Sequence, residues 1–251
     1  MPQISVKCIL WDYGNTLLLD PFPKILEKIA SDCVARLKDY GYDISEKDFI
    51  SEWSEANRKI NYPHISHFVQ EEPIIAKALG KLKILPQDML VILPKILGIY
   101  RSRFKEHVRN EARNKEVREI VSWIKQEGFT QGVFSNGRVL DPKPALALMG
   151  IEKYFDIIYA SEEGGIEKPN PKVFGRILNA LKVKPKDCTY IGDDPLRDVE
   201  CAKKRGMFAV LYKRPAEESA SWRDYKIRPK IAPDAEITSL AELKKILILK
   251  H

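Results

Sequence analysis

The sequence predicts an α/β protein: a doubly wound parallel sheet with an α-helical module inserted near its start. Three observations carry that prediction. An apolar segment that reads as a strand opens the chain, only helical periodicity follows from about Pro21 to Arg113, and strand-like and helix-like segments then alternate to the end. Alternation of this kind implies parallel pairing, because each crossover helix returns the chain to start its next strand in the same direction. The opening strand therefore belongs with the C-terminal half. The expected domains are residues 1–18 with 116–251 for the sheet and 19–115 for the helices.

From Ile4 to Leu10 the chain is apolar apart from Ser5 and Lys7, and it reads as one buried strand ending at Asp12 and Gly14. Beyond it Ile25, Ile29, Cys33 and Leu37 recur near i+4, with Gly41 placed to stop that helix. Ser45 to Asp48 resembles a capping box ahead of Phe49 and Ile50. Two further helices are expected over about 72–82 and 87–104, the second kinked or restarted at Pro94. Val117, Ile120, Val121 and Ile124 form one helix face closed by Gly128. Strands follow from Phe129 to Phe134 and from Phe155 to Tyr159. Asn170 and Pro171 suit the N-cap and first position of a helix with Phe174, Ile177, Leu178 and Leu181 inward. Cys188 to Ile191 reads as a strand, Pro195 to Lys204 as a helix closed by Gly206, and Phe208 to Tyr212 as a strand. An edge strand from Asp234 to Ile237 and a short helix from Leu240 to Ile248 complete the chain.

With 251 residues, 44% of them hydrophobic, the chain can form one large domain or two smaller ones. The formal net charge is +7, yet acids are interspersed even in the densest basic stretch, Arg101 to Arg118. A nucleic-acid arm has few acids among its bases, so nucleic acid is not an expected partner. No run reaches the ~18 apolar residues of a membrane span, since Met89 to Tyr100 is broken by Pro94 and Lys95. Lys7 and Asp12 interrupt the apolar N-terminus, which therefore does not read as a signal peptide. Cys8, Cys33, Cys188 and Cys201 form no C-x-x-C pair, against a zinc knuckle or redox motif. These features point to a reduced, cytoplasmic protein. Abundant Lys, Glu and Ile with little Gln is a thermophile-like composition, a setting in which intracellular disulfides do occur.

In an open parallel sheet the reactive site lies beyond the carboxyl ends of the strands. The residues at those ends form one set: Asp12-Tyr13-Gly14-Asn15-Thr16, then Ser135-Asn136-Gly137, then Gly192-Asp193-Asp194 with Asp198 shortly after. Lys168 opens Lys168-Pro169-Asn170-Pro171, directly before a helix. Taken singly, each has a plain structural reading as a turn, a cap, a solvated lysine or a strand–helix loop. Carboxylates, hydroxyls and a lysine gathered at strand ends in this order instead suit a hard divalent cation and a phosphate. Magnesium takes oxygen ligands, commonly one or two carboxylates with substrate phosphate and water.

That ordered set resembles the haloacid dehalogenase-like (HAD) superfamily of aspartate-nucleophile hydrolases, which share a Rossmann-like core. The resemblance covers the segment up to Leu18 and nearly everything from Glu116 onward. Its motifs are Asp12 with Thr16 after an apolar strand, Phe134-Ser135-Asn136, Ser161 to Pro169 (close to S-x-E-x-G-x-x-K-P), and Tyr190-Ile191-Gly192-Asp193-Asp194-Pro195-Leu196-Arg197-Asp198. The helical stretch resembles the family's cap, hinged near Leu18 to Pro21 and Arg113 to Glu116, whose closure excludes water and chooses the substrate.

The resemblance implies that Asp12 attacks phosphorus and forms an aspartyl-phosphate. It implies magnesium held by Asp12, the backbone carbonyl of Gly14 and Asp193. Ser135 and Lys168 would stabilise charge on the transferring oxygens. Thr16, Ser135, Asn136 and Lys168 would meet the substrate phosphate, Thr16 also fixing the nucleophile loop. Asp194 and Asp198 would orient the metal's waters and Lys168. The expected partner is a small phosphorylated metabolite, and the expected assembly a monomer or homodimer.

One position departs from the family pattern. Most family phosphatases carry a second aspartate two residues after the nucleophile, which protonates the leaving group and later activates water. Gly14 stands there instead. A main-chain carbonyl can still bind metal, but the general acid–base, a contribution of ~10²–10⁴-fold, is missing. Substrates with easy leaving groups (sugar 1-phosphates, acyl or aryl phosphates), a substitute from the cap or from Asn15 with a water, and a weak phosphatase are the competing explanations. Gly14 also has a conformational reading, a backbone that only glycine reaches cheaply. The runner-up activities are 2-haloacid dehalogenase, with Asp12 attacking carbon, and phosphonatase, which needs a cap lysine. A catalytically dead domain kept for binding is the reading outside enzymes. Gly192-Asp193-Asp194 favours a metal and hence phosphate, and the retention of Asp12, Ser135, Lys168 and Asp193 favours an enzyme.

Other residues have bland readings beside the sharp ones. His64 and His67 make an H-x-x-H pair without a third ligand, hence a solvated loop. Trp11 is core or pocket wall. Trp53, Tyr62 and Phe68 either line the substrate side of the cap or pack its helices. Cys201 is expected buried, and Arg214 to Arg228 a surface loop.

Overall fold

The computed structural model describes residues 3–19, 22–61, 71–136, 142–213 and 230–250. His64, His67, Tyr62, Phe68, Gly137, Pro21 and the stretch from Arg214 to Arg228 lie outside them. The chain divides into two compact units, Met1–Leu19 with Glu111–His251, and Asp20–Asn110.

The first unit holds all the described strands: β1 (Ile4–Val6), β2 (Cys8–Trp11), β3 (Thr130–Ser135), β4 (Ile157–Ala160), β5 (Cys188–Gly192), β6 (Phe208–Tyr212), β7 (Ala235–Ile237) and β8 (Leu247–Leu249). Six of them form one sheet in the order β4-β3-β2-β5-β6-β7, with every pairing parallel. The chain winds outward from β2 in both directions, so the topological switch point falls between β2 and β5, where ligands of such sheets bind. The register sets Trp11 opposite Val133 on one side and Ile191 on the other. The three strands therefore deliver Asp12, Ser135 and Asp193 to one end of the sheet. Both β2 and β5 are buried on both faces, which explains their apolar composition.

Two expectations fail outside the six-stranded sheet for one reason. The run from Ile4 to Leu10 is not one strand but two, divided at Lys7, and the segment from Leu247 is not helical. Instead β1 and β8 pair in a separate two-stranded parallel sheet, and the last helix stops at Ile246. An unpaired strand edge demands a partner, and periodicity over so few residues does not say which segment supplies it. The Lys7 main chain is itself satisfied, donating to Asp187 O at 2.8 Å and accepting from Thr130 N at 3.1 Å.

The helices of this unit are α5 (Asn114–Gln126), α6 (Pro142–Leu148), α7 (Phe174–Ala180), α8 (Cys201–Arg205) and α9 (Leu243–Ile246), numbered after α1 to α4 of the other unit. The helix expected from Asn170 opens with a 3₁₀ turn over Pro171–Val173, Asn170 Oδ1 accepting from Lys172 N at 3.0 Å. The helix expected from Pro195 opens with a π-helical turn over Pro195–Glu200 before α8. No signal for α6 was read in the sequence. Leu10, Phe134, Phe174, Ile177 and Tyr190 pack one face of the sheet.

The second unit is helical throughout its described residues: α1 (Phe22–Lys38), α2 (Glu46–Asn61), α3 (Glu71–Lys81) and α4 (Pro86–Asn110). Ser45 Oγ accepts from Asp48 N at 3.1 Å and starts α2. Helix α4 runs on through Pro94 with no restart there. Leu90 and Pro94 lie on its exposed face, where water can take the carbonyl that a residue-94 N–H would have bonded. Ile25, Ile29, Phe49, Ile75, Leu79 and Ile96 fill this unit's core. Trp53 belongs to it, 2% exposed and edge-on to Phe49 at 5.4 Å. Among the described residues no helix is long and apolar enough to cross a membrane.

Candidate active site

Asp12 is the first residue past β2. Its N–H donates to Ile191 O at 2.8 Å and extends the β2–β5 ladder by one step. Trp11 is wholly buried and donates through Nε1 to Gln131 Oε1 at 3.1 Å, so it is core. The loop that follows is closed by its own backbone: Leu17 and Leu18 N both donate to Tyr13 O at 3.0 Å, and Asn15 N to Leu18 O at 2.6 Å. The left-handed residue of this turn is Asn15, at φ +63°, and asparagine is among the few side chains that tolerate it. Gly14 is not left-handed, and a Cβ built there would meet nothing within 4 Å. The conformational reading of Gly14 is thereby corrected: neither backbone nor space requires glycine.

Lys168 is the hub of the site. It is 4% exposed, and its Nζ donates to Asp12 Oδ1 at 2.6 Å, Asp198 Oδ1 at 2.6 Å and Tyr190 OH at 2.9 Å. Three donors meet three acceptors. Tyr190 in turn donates to Phe134 O at 3.0 Å. Burial acts to lower the Lys168 pKa, but the adjacent Asp12 and Asp198 outweigh it and hold the ammonium well above its ordinary value. One cation thus serves two carboxylates. Burial, with Asp12 beside it, pushes Asp198 up to about 7 against the pull of Lys168.

The backbone of Lys168 is positioned by Asn136, whose Oδ1 accepts from Lys168 N at 2.9 Å while its Nδ2 donates to Lys168 O at 3.0 Å. Both amide atoms of Asn136 are thereby engaged with the Lys168 backbone. Ser135, at the end of β3, is 7% exposed and donates to Asn136 O at 3.1 Å. Thr16 is fully buried, and its hydroxyl finds no hydrogen-bond partner among the described residues.

Beyond β5, Asp194 Oδ1 accepts from Leu196 N and Arg197 N, both at 2.9 Å, and caps the π-helical turn. Asp198 Oδ2 accepts from Asp194 N at 2.9 Å, so each oxygen of Asp198 has a donor. This turn presses Asp198 against Gly192, where a Cβ would lie 2.3 Å from Asp198 Oδ2. Only glycine fits.

Carboxylate oxygens of Asp12, Asp193 and Asp198 lie within 4.8 Å of one another. An all-oxygen donor set with formal negative charge in excess of its one lysine fits a hard divalent cation. Because Asp198 is engaged by Lys168 and Asp194, Asp12 and Asp193 are the carboxylates suited to hold it. All four cysteines are buried and unpaired, and burial raises the thiols of Cys33 and Cys201 to about 12.

Tyr190 and Gly192 stand inside the fourth motif, but the sequence shows neither contact, that of Tyr190 with Lys168 or that of Gly192 with Asp198. Alternation along β5 puts both on one face, the available signal. Arg113, whose guanidinium reaches the carbonyl of Thr16 at 3.0 Å, carried no signal of that contact.

Fold and site together define a doubly wound α/β protein with a buried aspartate–lysine cluster at the carboxyl ends of its strands. The chain belongs to the haloacid dehalogenase-like hydrolases: the family's sequence pattern matches residues 76–212, more than half of its length. It is similar to the glyceraldehyde 3-phosphate phosphatase of Methanopyrus kandleri, 26% identical over 247 residues that span 96% of this chain and 97% of that protein. Among solved structures it resembles a magnesium-bound HAD hydrolase of Bacillus subtilis (TM-score 0.67, 17% identity, 96% of this chain and 98% of that one). It also resembles a 2-haloacid dehalogenase of Pseudomonas syringae (TM-score 0.62, 22% identity, 96% and 97%). Likeness at these identities speaks to the fold.

Proposed function

We propose that this chain is a magnesium-dependent phosphatase of a small phosphorylated metabolite, working through an aspartyl-phosphate on Asp12. The observation that carries the reading is Asp12 itself, tied by Oδ1 to buried Lys168 and gathered with Asp193 and Asp198 within 4.8 Å. The Asp12 carboxylate makes the attack: its bond to phosphorus forms as the bond from phosphorus to the leaving oxygen breaks. Water then displaces the Asp12 carboxylate from phosphorus and inorganic phosphate departs. Lys168 and Ser135 stabilise charge on the transferring oxygens, Asn136 and Asp198 hold Lys168, and Thr16 helps fix the loop. Magnesium, held by Asp12, Asp193 and the Gly14 carbonyl, would offset the repulsion between carboxylate and phosphate.

The helical unit is read as the family's cap, and a reduced cytoplasmic setting accords with four unpaired thiols. The name of the Methanopyrus kandleri relative supports a small sugar phosphate as substrate. Likeness to a dehalogenase does not compete, since dehalogenases and phosphatases share the fold; the carboxylate cluster is what favours phosphate.

The test is an assay of the purified chain on a panel of aryl, acyl and sugar phosphates, glyceraldehyde 3-phosphate among them, with magnesium or with EDTA. A parallel assay follows halide release from 2-chloropropionate. Phosphate release that needs magnesium is expected. Metal-independent halide release without phosphatase activity would replace the reading with the dehalogenase one.

A further inference from the structure

We propose that Arg113 is the positioning residue of the nucleophile loop, acting through the main-chain carbonyl of Thr16; this rests on Asp12 being the reactive carboxylate. Burying a guanidinium is expensive unless each face of it is used. The Arg113 side chain is 10% exposed, its Nε and Nη1 have no hydrogen-bond partner among the described residues, and the hydrogen bond it makes goes to the nucleophile loop. Its Nη2 donates to Thr16 O at 3.0 Å. Its plane lies over the Tyr212 ring, 5.1 Å from the centroid, and its Nε is 3.8 Å from Glu116 Oε2. Glu116 is fixed in turn, its Oε1 accepting from Ser239 Oγ at 3.2 Å and Leu240 N at 3.1 Å. A chain of contacts thus runs from the C-terminal segment through Glu116 and Arg113 to the loop that carries Asp12.

The loop needs such a brace. Between Tyr13 and Leu18 it is neither strand nor helix, it contains a left-handed Asn15, and its described internal backbone bonds converge on Tyr13 O and Leu18 O. Thr16 O lies outside that set and is taken by Arg113. The contact also ties together the two places where the chain leaves and re-enters the sheet unit, since Thr16 lies just before Asp20 and Arg113 just after Asn110. A planar fork that stacks and donates in its plane suits the role, and an ammonium does not.

The full-length chain with Arg113→Ala or Arg113→Lys tests the proposal through two readouts. Amide hydrogen exchange at Asn15, Leu17 and Leu18 is expected to speed up at least ~10-fold in Arg113→Ala, with β3 and β5 amides unchanged. Turnover on an aryl phosphate is expected to fall ~10–100-fold at nearly constant KM, the signature of a misplaced reacting group. Low-millimolar guanidinium restores part of it where equal sodium chloride does not, and Arg113→Lys is intermediate. A folded Arg113→Ala protein with unchanged loop exchange and kcat within twofold of wild type overturns the proposal. If Arg113→Ala does not fold, Arg113→Lys decides by the same two measurements. A wild-type protein without phosphatase activity would sink the reading of Asp12, and loop exchange would still decide the brace.

Discussion

In the sheet unit Asp12, Lys168, Asp194, Asp198 and Glu200 are all buried, with Thr16, Gln131 and Ser135 among them, whereas the helical unit buries one polar residue, Asn57, among its described ones. Its remaining core is aliphatic and aromatic. The charges of the helical unit stay at the surface, as where Arg101 meets Glu71 and Glu72 with each side chain more than a third exposed, and such pairs add little stability. Buried charge is costly unless paired and hydrogen-bonded. The sheet unit bears that cost for Asp12, Lys168, Asp194 and Asp198 at one place, the carboxyl ends of β2, β3 and β5, while Glu200 farther along pairs with Lys204. A substitution in one unit should therefore damage chemistry, and in the other only packing.

Asp12→Asn gives the sharpest break. It keeps shape and removes the nucleophile, so turnover should fall by at least ~10³-fold while circular dichroism and melting stay native-like. A near wild-type rate at pH 7 would dismiss Asp12. Next comes Lys168→Met, which strands two buried carboxylates and should cost about 3–5 kcal/mol by urea denaturation in EDTA, with turnover lost as well. Retained stability would mean that the ion pairs are not what holds the site.

The counterpart in the helical unit is Leu79→Ala, at a fully buried position. A cavity there should cost about 2–5 kcal/mol, yet kcat measured below the melting range should stay within a few-fold of wild type. A large kcat loss in the folded variant would show that the helical unit shares in the chemistry and blur the division.

The parts of this division that were legible in the sequence are those written in contiguous residues. Strand ends, helix starts and the four motifs each occupy a few neighbouring positions, so the parallel sheet and the placing of Asp12, Ser135 and Asp193 at its strand ends could be anticipated. What escaped depends on partners far along the chain. The strand at Leu247–Leu249 exists because β1 has an open edge, and the Arg113–Thr16 contact joins residues that the helical unit separates along the chain. At Pro94 the sequence left a kink and a restart both open, and the helix continues because a proline's penalty depends on whether its face meets water. For Gly14 the residue type suggested strain, but the strain sits next door on Asn15.

That last point makes Gly14→Asp an unusually clean substitution. The backbone is permissive and nothing lies within 4 Å of the new Cβ, so a failure cannot be assigned to a glycine-only turn. If the missing carboxylate is the acid–base, the wild type should cleave aryl and acyl phosphates faster than alkyl phosphates that bind equally well. Gly14→Asp should then raise the alkyl rate alone. Full recovery would approach ~10²-fold, about 2.7 kcal/mol of barrier, and a new carboxylate not tuned to the site should give less. The leaving-group dependence should flatten as the alkyl rate rises, which a general gain in binding would not produce. Equal alkyl and aryl rates in the wild type, with chemistry shown to be rate-limiting, would mean that another residue already delivers the proton. Asn15 with a water, in the nucleophile's own loop, and the helical unit are the two sources to test, and only the second would end the contrast between the two units for catalysis.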